Sequence, residues 1–334
     1  MQINKITDLK SSGSKAEFYD ILRKKAFFIH YQPIISLGIG DIFGFEALTR
    51  GPLNSYFYYP DRLFLYAENQ GSLYKLEKIT RELAIENSRD FLKKEQKLFI
   101  NISSQVIYDP KFISGYTTAL LEKYQLTPHN IIFEITERSA IKDFDAFRKV
   151  LEHYRMQGFK IAIDDAGAGY SSLQAISELN PEYIKIDRSL IQNIDKNDLK
   201  KSLVETLTNS AKKINSKVIA EGIETAEELH TTVNLGVQYG QGFFLARPNF
   251  PPESISVKAV ECLANYQVNI ERGSSIIRKK VEYFTASEAI FDIDTNPATI
   301  VEYFAYNQHK EWVVISKADI PVGILKKENL KHIS

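Results

Sequence analysis

Residues 29–50, Ile29-His30-Tyr31-Gln32-Pro33-Ile34-Ile35-Ser36-Leu37-Gly38-Ile39-Gly40-Asp41-Ile42-Phe43-Gly44-Phe45-Glu46-Ala47-Leu48-Thr49-Arg50, decide the fold. Two β-prone apolar runs, 29–36 and 44–50, flank a connection of about seven residues. A parallel crossover needs a dozen residues or more. The two runs are therefore expected to form an antiparallel hairpin, turned by Gly38, Gly40, Asp41 and Gly44.

Further strand-like runs follow at 98–103, 131–137, 159–165, 183–187, 217–221 and 239–246, each rich in Ile, Val, Phe or Tyr. Between most of them lie segments of helical period, at 76–93, 143–157, 199–214 and 226–235. Strand–helix alternation argues a parallel sheet with helices outside, and eight strands argue closure. The expected fold is α/β, a TIM-like (β/α)8 barrel whose first strand is antiparallel.

A break falls at Arg247-Pro248-Asn249-Phe250-Pro251-Pro252, where neither strand nor helix continues easily. The expected division is a lead-in over 1–15, the barrel over 16–250, a linker helix over 251–280 and a small α+β segment over 281–334. That last segment reads strand 289–293, helix 297–306, then strands 312–316 and 321–325.

The bulk composition narrows the classes. Across 334 residues, 42 basic side chains balance 42 acidic ones, so no basic excess favours a polymeric nucleic acid or an acidic membrane. A single cysteine, Cys262, excludes an internal disulfide and suits a reducing compartment. The first 15 residues lack a signal-peptide apolar core, and no run approaches the roughly 20 apolar residues of a membrane span. A cytoplasmic protein without membrane insertion is expected.

Polar residues at strand ends carry the chemistry. Side chains two apart share a face of a strand. Phe45 and Ala47 thus oppose Glu46, Leu48 and Arg50, and Ile100 and Ile102 oppose Asn101. Phe133 and Ile135 oppose Glu134, and Ile161 and Ile163 oppose Asp164. Ile184 and Ile186 oppose Lys185 and Asp187, and Val218 and Ala220 oppose Glu221. The apolar set should meet the outer helices. The polar set should point inward near the C-terminal mouth, where barrel enzymes keep their sites. A lone strand-end carboxylate is more often a cap or a surface group. Five acids, one amide and one lysine on successive strand ends, taken to share one parity, fit that reading poorly. Glu46, Glu134, Asp164, Asp165 and Glu221 bring about five negative charges, against which Lys185 and Arg50 return two. Divalent cations would offset the difference. An all-oxygen donor set favours Mg²⁺ or Mn²⁺ over Zn²⁺, and the Asp164-Asp165 pair could bridge two of them.

These residues resemble the EAL-domain phosphodiesterases specific for c-di-GMP. Glu46-Ala47-Leu48 stands within Phe45-Glu46-Ala47-Leu48-Thr49-Arg50, after Tyr31-Gln32-Pro33-Ile34 and before Asn101-Ile102-Ser103 and Phe133-Glu134-Ile135-Thr136-Glu137. Asp164-Asp165-Ala166-Gly167-Ala168-Gly169-Tyr170-Ser171-Ser172-Leu173, Ile184-Lys185-Ile186-Asp187, Ala220-Glu221-Gly222-Ile223-Glu224 and Gln241-Gly242-Phe243 follow in the same order. The resemblance implies a barrel with an antiparallel first strand that opens c-di-GMP to linear pGpG with two ions, Mg²⁺ or Mn²⁺, and that Ca²⁺ inhibits. It implies metal ligation by Glu46, Asn101, Glu134, Asp164, Asp165, Glu221 and Gln241. Catalytic roles fall to Lys185, Glu221 and Glu46, and substrate contacts to Gln32, Leu48, Arg50 and Asp187. Glu137 would anchor the loop 166–172, which the family couples to a homodimer contact. That loop departs from the common Phe-Gly-Thr-Gly: Ala166 lacks a bulky contact and Ala168 a hydroxyl.

The tail, ending in Pro321-Val322-Gly323-Ile324-Leu325-Lys326-Lys327-Glu328-Asn329-Leu330, resembles one CBS motif. Such motifs imply an adenine nucleotide and normally come in pairs. Either this one pairs with a second copy, the chain is a fragment of a longer protein, or the tail is a small appendage that only dimerises. For the whole chain, the competing readings are a c-di-GMP receptor without turnover and a different metal-dependent barrel hydrolase.

Overall fold

The computed structural model describes residues 13–103, 115–136, 144–167, 172–271, 289–292, 294–308, 310, 312–317 and 320–327. The chain divides into two units, Met1–Leu37 with Asp41–Ser256, and Gly38–Gly40 with Val257–Ser334.

The first unit is a closed eight-stranded barrel, β1 (Phe28–Ser36), β2 (Ile42–Arg50), β3 (Lys97–Asn101), β4 (Ile131–Thr136), β5 (Lys160–Ala166), β6 (Tyr183–Ile186), β7 (Lys217–Ala220) and β8 (Tyr239–Gly240). β1 runs antiparallel to both its neighbours, β2 and β8, and all other pairs are parallel. The hairpin expected from its short connection is thus present, and it reverses one strand of an otherwise TIM-like barrel. Helices α1 (Lys15–Lys24), α2 (Pro60–Asn69), α3 (Leu73–Ser88), α4 (Tyr116–Lys123), α5 (Phe144–Met156), α6 (Ser172–Leu179), α7 (Arg188–Ile191), α8 (Asp198–Lys213) and α9 (Ala226–Asn234) occupy the connections. Their starts are set locally: Ser14, Asp187, Asn197 and Thr225 each accept a first-turn N–H.

Alternation along the strands builds two kinds of core. Outward residues Phe45, Ala47, Ile100, Phe133, Ile135, Ile161 and Ile163 form one buried cluster with the helix residues Ala84, Ile85, Leu151 and Leu179. Inward residues Ile34, Phe99, Ile132, Ala162, Tyr183 and Ile219 form a separate cluster that floors the barrel, with Phe43 and Tyr239 packed against it. Phe43 stacks on Tyr239 at 4.0 Å between centroids, and Phe99 meets Tyr183 edge-on at 5.7 Å. One step of two residues along each strand leads from this floor to the polar rim: Ile34 to Gln32 on the reversed strand, Phe99 to Asn101, Ile132 to Glu134, Ala162 to Asp164, Tyr183 to Lys185 and Ile219 to Glu221. A dry aromatic floor thus lies directly under a charged layer.

The last strand is much shorter than the expected 239–246. Past Gly240 the chain still bonds to the β7 side, with Gln241 N–H donating to the Ala220 carbonyl and Ile223 N–H to the Gln241 carbonyl, and Gly242 lies so close to the Ile223 backbone that any Cβ there would overlap it. Residues 242–246 instead turn, with Leu245 and Ala246 N–H groups donating to the Gly242 carbonyl.

The second unit holds α10 (Val257–Glu271) and a three-stranded sheet ordered β11 (Ile320–Lys326), β10 (Trp312–Lys317), β9 (Ile290–Asp292), with α11 (Pro297–Tyr306) between β9 and β10. β9 pairs parallel to β10, and β11 antiparallel to it. Ile300 and Phe304 of α11 bury against Val313. The strand, helix, strand, strand order matches the reading of the tail. The expected linker helix is described as far as Glu271. No helix among the described residues is long and apolar enough to cross a membrane.

Truncating the floor tests its share in closing the barrel. Phe99→Ala is expected to lower unfolding free energy by about 3–5 kcal/mol, read from the midpoint of urea unfolding.

Candidate functional site

Lys185 stands at the centre of the rim. Its side chain is 1% exposed, and its Nζ lies 2.7 Å from Glu134 Oε1, 2.8 Å from Glu221 Oε1, 3.0 Å from Asp164 Oδ1 and 3.4 Å from Glu46 Oε2. Four strands, β2, β4, β5 and the end of β7, thus deliver one carboxylate each to a single ammonium from β6. Burial alone would pull that ammonium's pKa down, but Asp164, Glu134, Glu221 and Glu46 outweigh it and hold Lys185 well above its ordinary value.

One cation cannot satisfy four buried anions. Burial raises Glu134 well above the usual carboxylate range, with the Glu46 charge adding to it and Lys185 opposing. Burial raises Asp164 in the same way against Lys185, and Glu46 adds. Burial pushes Glu221 up to about 8, with Asp164 and Glu46 adding and Lys185 opposing. Asp165 is pushed up to about 6 by burial and then by Asp164 and Asp187.

The amides knit this layer together. Asn101 Nδ2 donates to Glu134 Oε2 at 3.2 Å and more weakly to Glu46 Oε1 at 3.5 Å. Gln241 Nε2 donates to Glu46 Oε2 at 2.6 Å and to Gln32 Oε1 at 3.0 Å, and Gln32 Nε2 donates to the Ala246 carbonyl. The buried Gln241 Oε1 has no hydrogen-bond partner. That acceptor faces a hydrogen-bonding need which a cation's bound water would meet.

Asp165 reaches the rim by a route that alternation does not give. Strict alternation would send it away from Asp164. The β5–β6 register instead shifts between Ile163 and Ala166, and Asp165 takes a left-handed conformation at φ 58°. Carboxylate oxygens of Asp164, Asp165 and Glu221 then lie within 4.8 Å of one another. The residues at the rim do not all share one parity, and this bulge is the reason. Three converging carboxylates, an orphaned amide oxygen and uncompensated negative charge fit a hard, oxygen-liganded divalent cation.

Beside the acids lies a cleft of about 250 Å³, lined by Gln32, Glu46, Glu221, Gln241, Gly222 and Phe243 together with Arg188 and Glu224. Arg188 and Glu224 pair across it at 3.0 Å. Arg188, Glu224 and Phe243 had no role in the sequence reading. Arg188 opens α7 and Phe243 lies on the turn after β8, and strand alternation carries no information at either. Glu224 and Phe243 stand within the motifs at 220–224 and 241–243 without a role of their own there.

The other expected site residues sit apart from the ammonium. Leu48 and Arg50 continue the inward face of β2 beyond Glu46, and Arg50 Nη1 donates to the Thr49 carbonyl. Asp187 caps α7 by accepting the Ser189 N–H at 2.9 Å. Glu137 and Ala168 lie outside the described residues, while Ala166 is fully buried.

Cation uptake must displace protons from these raised carboxyls. Mn²⁺ affinity is therefore expected to rise as pH increases from about 6 to about 8. Calorimetry in buffers of differing ionisation enthalpy would read the released protons, and a pH-independent affinity would contradict the raised values.

A family model described as "EAL domain" matches residues 15–248. A protein of Escherichia coli (strain K12) named probable cyclic di-GMP phosphodiesterase PdeB is 32% identical over 231 residues, covering 68% of this chain and 44% of the relative. The bifunctional diguanylate cyclase/cyclic di-GMP phosphodiesterase MucR of Pseudomonas aeruginosa is 29% identical, covering 70% of this chain and 34% of the relative. The chain thus spans less than half the length of these curated relatives. Among solved structures, a manganese/cy-diGMP complex of Klebsiella pneumoniae BlrP1 superposes with a TM-score of 0.62 at 31% identity, covering 67% of this chain and 56% of that one. A c-di-GMP-bound standalone EAL protein from Vibrio cholerae O395 superposes with a TM-score of 0.61 at 30% identity, covering 70% and 98%.

Proposed function

The chain belongs to the EAL domain family, and from that premise we propose that it is a metal-dependent phosphodiesterase that opens cyclic di-GMP to linear pGpG. The observation that carries this reading is a single buried ammonium, Lys185, set among four carboxylates within 3.4 Å, with Asp165 drawn to the same rim. Relatives named cyclic di-GMP phosphodiesterases support it, as do similar structures holding manganese or calcium with the dinucleotide.

Glu46, Asn101, Glu134 and Asp164 would hold one ion, Mg²⁺ or Mn²⁺, and Asp164 with Asp165 a second, with Glu221 and Gln241 completing the donor set. Such ions, when bound, place positive charge at the scissile phosphate and make water a stronger acid. The chain's own groups do the rest. Lys185 Nζ, charged at neutral pH, orients the attacking water and balances charge at the phosphate. A Glu221 carboxylate oxygen takes up the water's proton. The water oxygen bonds to phosphorus, the bond to the ribose 3′ oxygen breaks, that oxygen takes a proton from solvent, and Glu221 gives its own proton up to solvent. Arg50 would pair with a phosphate, while Gln32, Leu48 and Asp187 hold the nucleotide near the cleft. Glu137 is assigned to anchoring the 166–172 loop. A homodimer, a cytoplasmic setting and an adenine nucleotide at the CBS-like C-terminal unit complete the proposal.

One observation favours a second reading, a c-di-GMP receptor without turnover: Ala166 and Ala168 stand where the family commonly has Phe and Thr. Incubation of the protein with c-di-GMP and Mn²⁺ separates the two. Appearance of pGpG by chromatography is the expected result, whereas binding with the ring left intact would select the receptor. Glu46→Ala is expected to cut turnover by about two to three orders of magnitude while far-UV circular dichroism stays unchanged. Replacing Mg²⁺ by Ca²⁺ is expected to suppress turnover, because the larger ion accepts looser, higher coordination. Full activity with Ca²⁺ would contradict the assumed donor geometry.

A further inference from the structure

Glu77 lies on α3, outside the rim, and is 4% exposed. Its Oε1 accepts the Ser103 N–H at 2.9 Å. Ser103 follows Asn101 by two residues, at the point where β3 leaves the sheet. β2 pairs with β3 as far as Ile100, and Ile102 N–H donates to the Glu134 carbonyl of β4. One residue on, the Ser103 amide donates to the Glu77 carboxyl of α3 and not to a strand carbonyl.

A buried acid is a costly way to supply one acceptor, and the second oxygen, Glu77 Oε2, has no hydrogen-bond partner among the described residues. Arg81, one turn along α3 and also buried, opposes the Glu77 charge. Arg81 Nη1 donates to Thr117 Oγ1 of α4 at 3.1 Å, and the guanidinium charge acts on the Tyr154 hydroxyl of α5. It lies 5.9 Å from the centroid of the Phe133 ring, which neighbours Glu134 on β4. The buried pair thus ties α3, α4 and α5 to the ends of β3 and β4, the two strands whose Asn101 and Glu134 hydrogen-bond each other at 3.2 Å.

We propose that Glu77 is a positioning residue for the metal site: by accepting the Ser103 N–H it fixes the exit of β3, and with it the Asn101 amide against Glu46 and Glu134. This inference rests on the metal-site reading of the rim. The hydrogen bond needs an acceptor oxygen. Burial pushes Glu77 up to about 8, with Arg81 and the Ser103 N–H opposing. A neutral amide of the same shape keeps that oxygen.

The test is Mn²⁺ affinity by calorimetry, without substrate, on wild type, Glu77→Gln, Glu77→Met and Val204→Ala. Methionine fills the same volume without the acceptor. Val204, fully buried on α8, controls for general loss of stability. Glu77→Met is expected to weaken Mn²⁺ binding about tenfold or more, while Glu77→Gln stays near wild type. Val204→Ala should lower the melting temperature and leave the affinity alone. A folded Glu77→Met with wild-type affinity would overturn the proposal. So would Glu77→Gln failing as badly as the methionine variant, or Val204→Ala weakening Mn²⁺ to the same degree. Wild-type protein that takes up no Mn²⁺ would remove the metal-site reading itself, and this positioning role with it.

Discussion

Lys185 and the carboxylates of Glu46, Glu134, Asp164 and Glu221 form a buried knot of charge that no part of the barrel could tolerate without the others. Removing the ammonium would leave anions packed within a few ångströms in a poorly solvated layer, and removing an acid would leave the ammonium less compensated. The knot draws on strands far apart in sequence, from Glu46 to Glu221. It forms only if the barrel closes in the right register. The dry floor of Phe43, Phe99, Tyr183 and Tyr239 beneath it performs that closure. Apolar packing sets the frame, and the frame forces the charges together.

The negative charge left over is also the source of chemistry. Burial raises Glu134, Asp164, Asp165 and Glu221 above their usual carboxylate range, so keeping all of them charged is costly. A divalent cation would offset that negative charge with two charges at once and fix the carboxylates as acceptors. The rim is thus poised to exchange protons for metal, and the unpartnered Gln241 oxygen marks where the layer is incomplete without solvent or ligand. The cleft beside it is bordered by the Arg188–Glu224 pair.

Support for this rim extends into the helices. Glu77 and Arg81 on α3 place a second polar network behind the first, joined through Ser103 and Phe133 to the strands that carry Asn101 and Glu134. The two networks differ in kind. The rim is charge-dense and opens to a cleft, whereas the α3 network reaches backbone and hydroxyl groups and leaves Glu77 Oε2 and Arg81 Nε without hydrogen-bond partners among the described residues. Precision at the rim depends on both, because an amide such as Asn101 is held no more firmly than the strand end that bears it.

The sequence by itself determined the hairpin, the alternation of strands and helices, and which face of each strand is apolar. These follow from local rules: a seven-residue connection is too short for a crossover, and side chains alternate with a period of two. That period was enough to send Glu46, Asn101, Glu134, Asp164, Lys185 and Glu221 inward together. The tertiary structure alone decided where local periodicity lapses. Asp165 joins the rim through a bulge and a left-handed backbone that alternation does not foresee. β8 ends at Gly240, and Gly242 beyond it passes close to the Ile223 backbone. Arg188 reaches the cleft from the start of α7 and Phe243 from a turn, and Glu77 accepts the Ser103 N–H across 26 residues of sequence. Each of these depends on which backbone lies next to which, and that adjacency exists only once the barrel has closed.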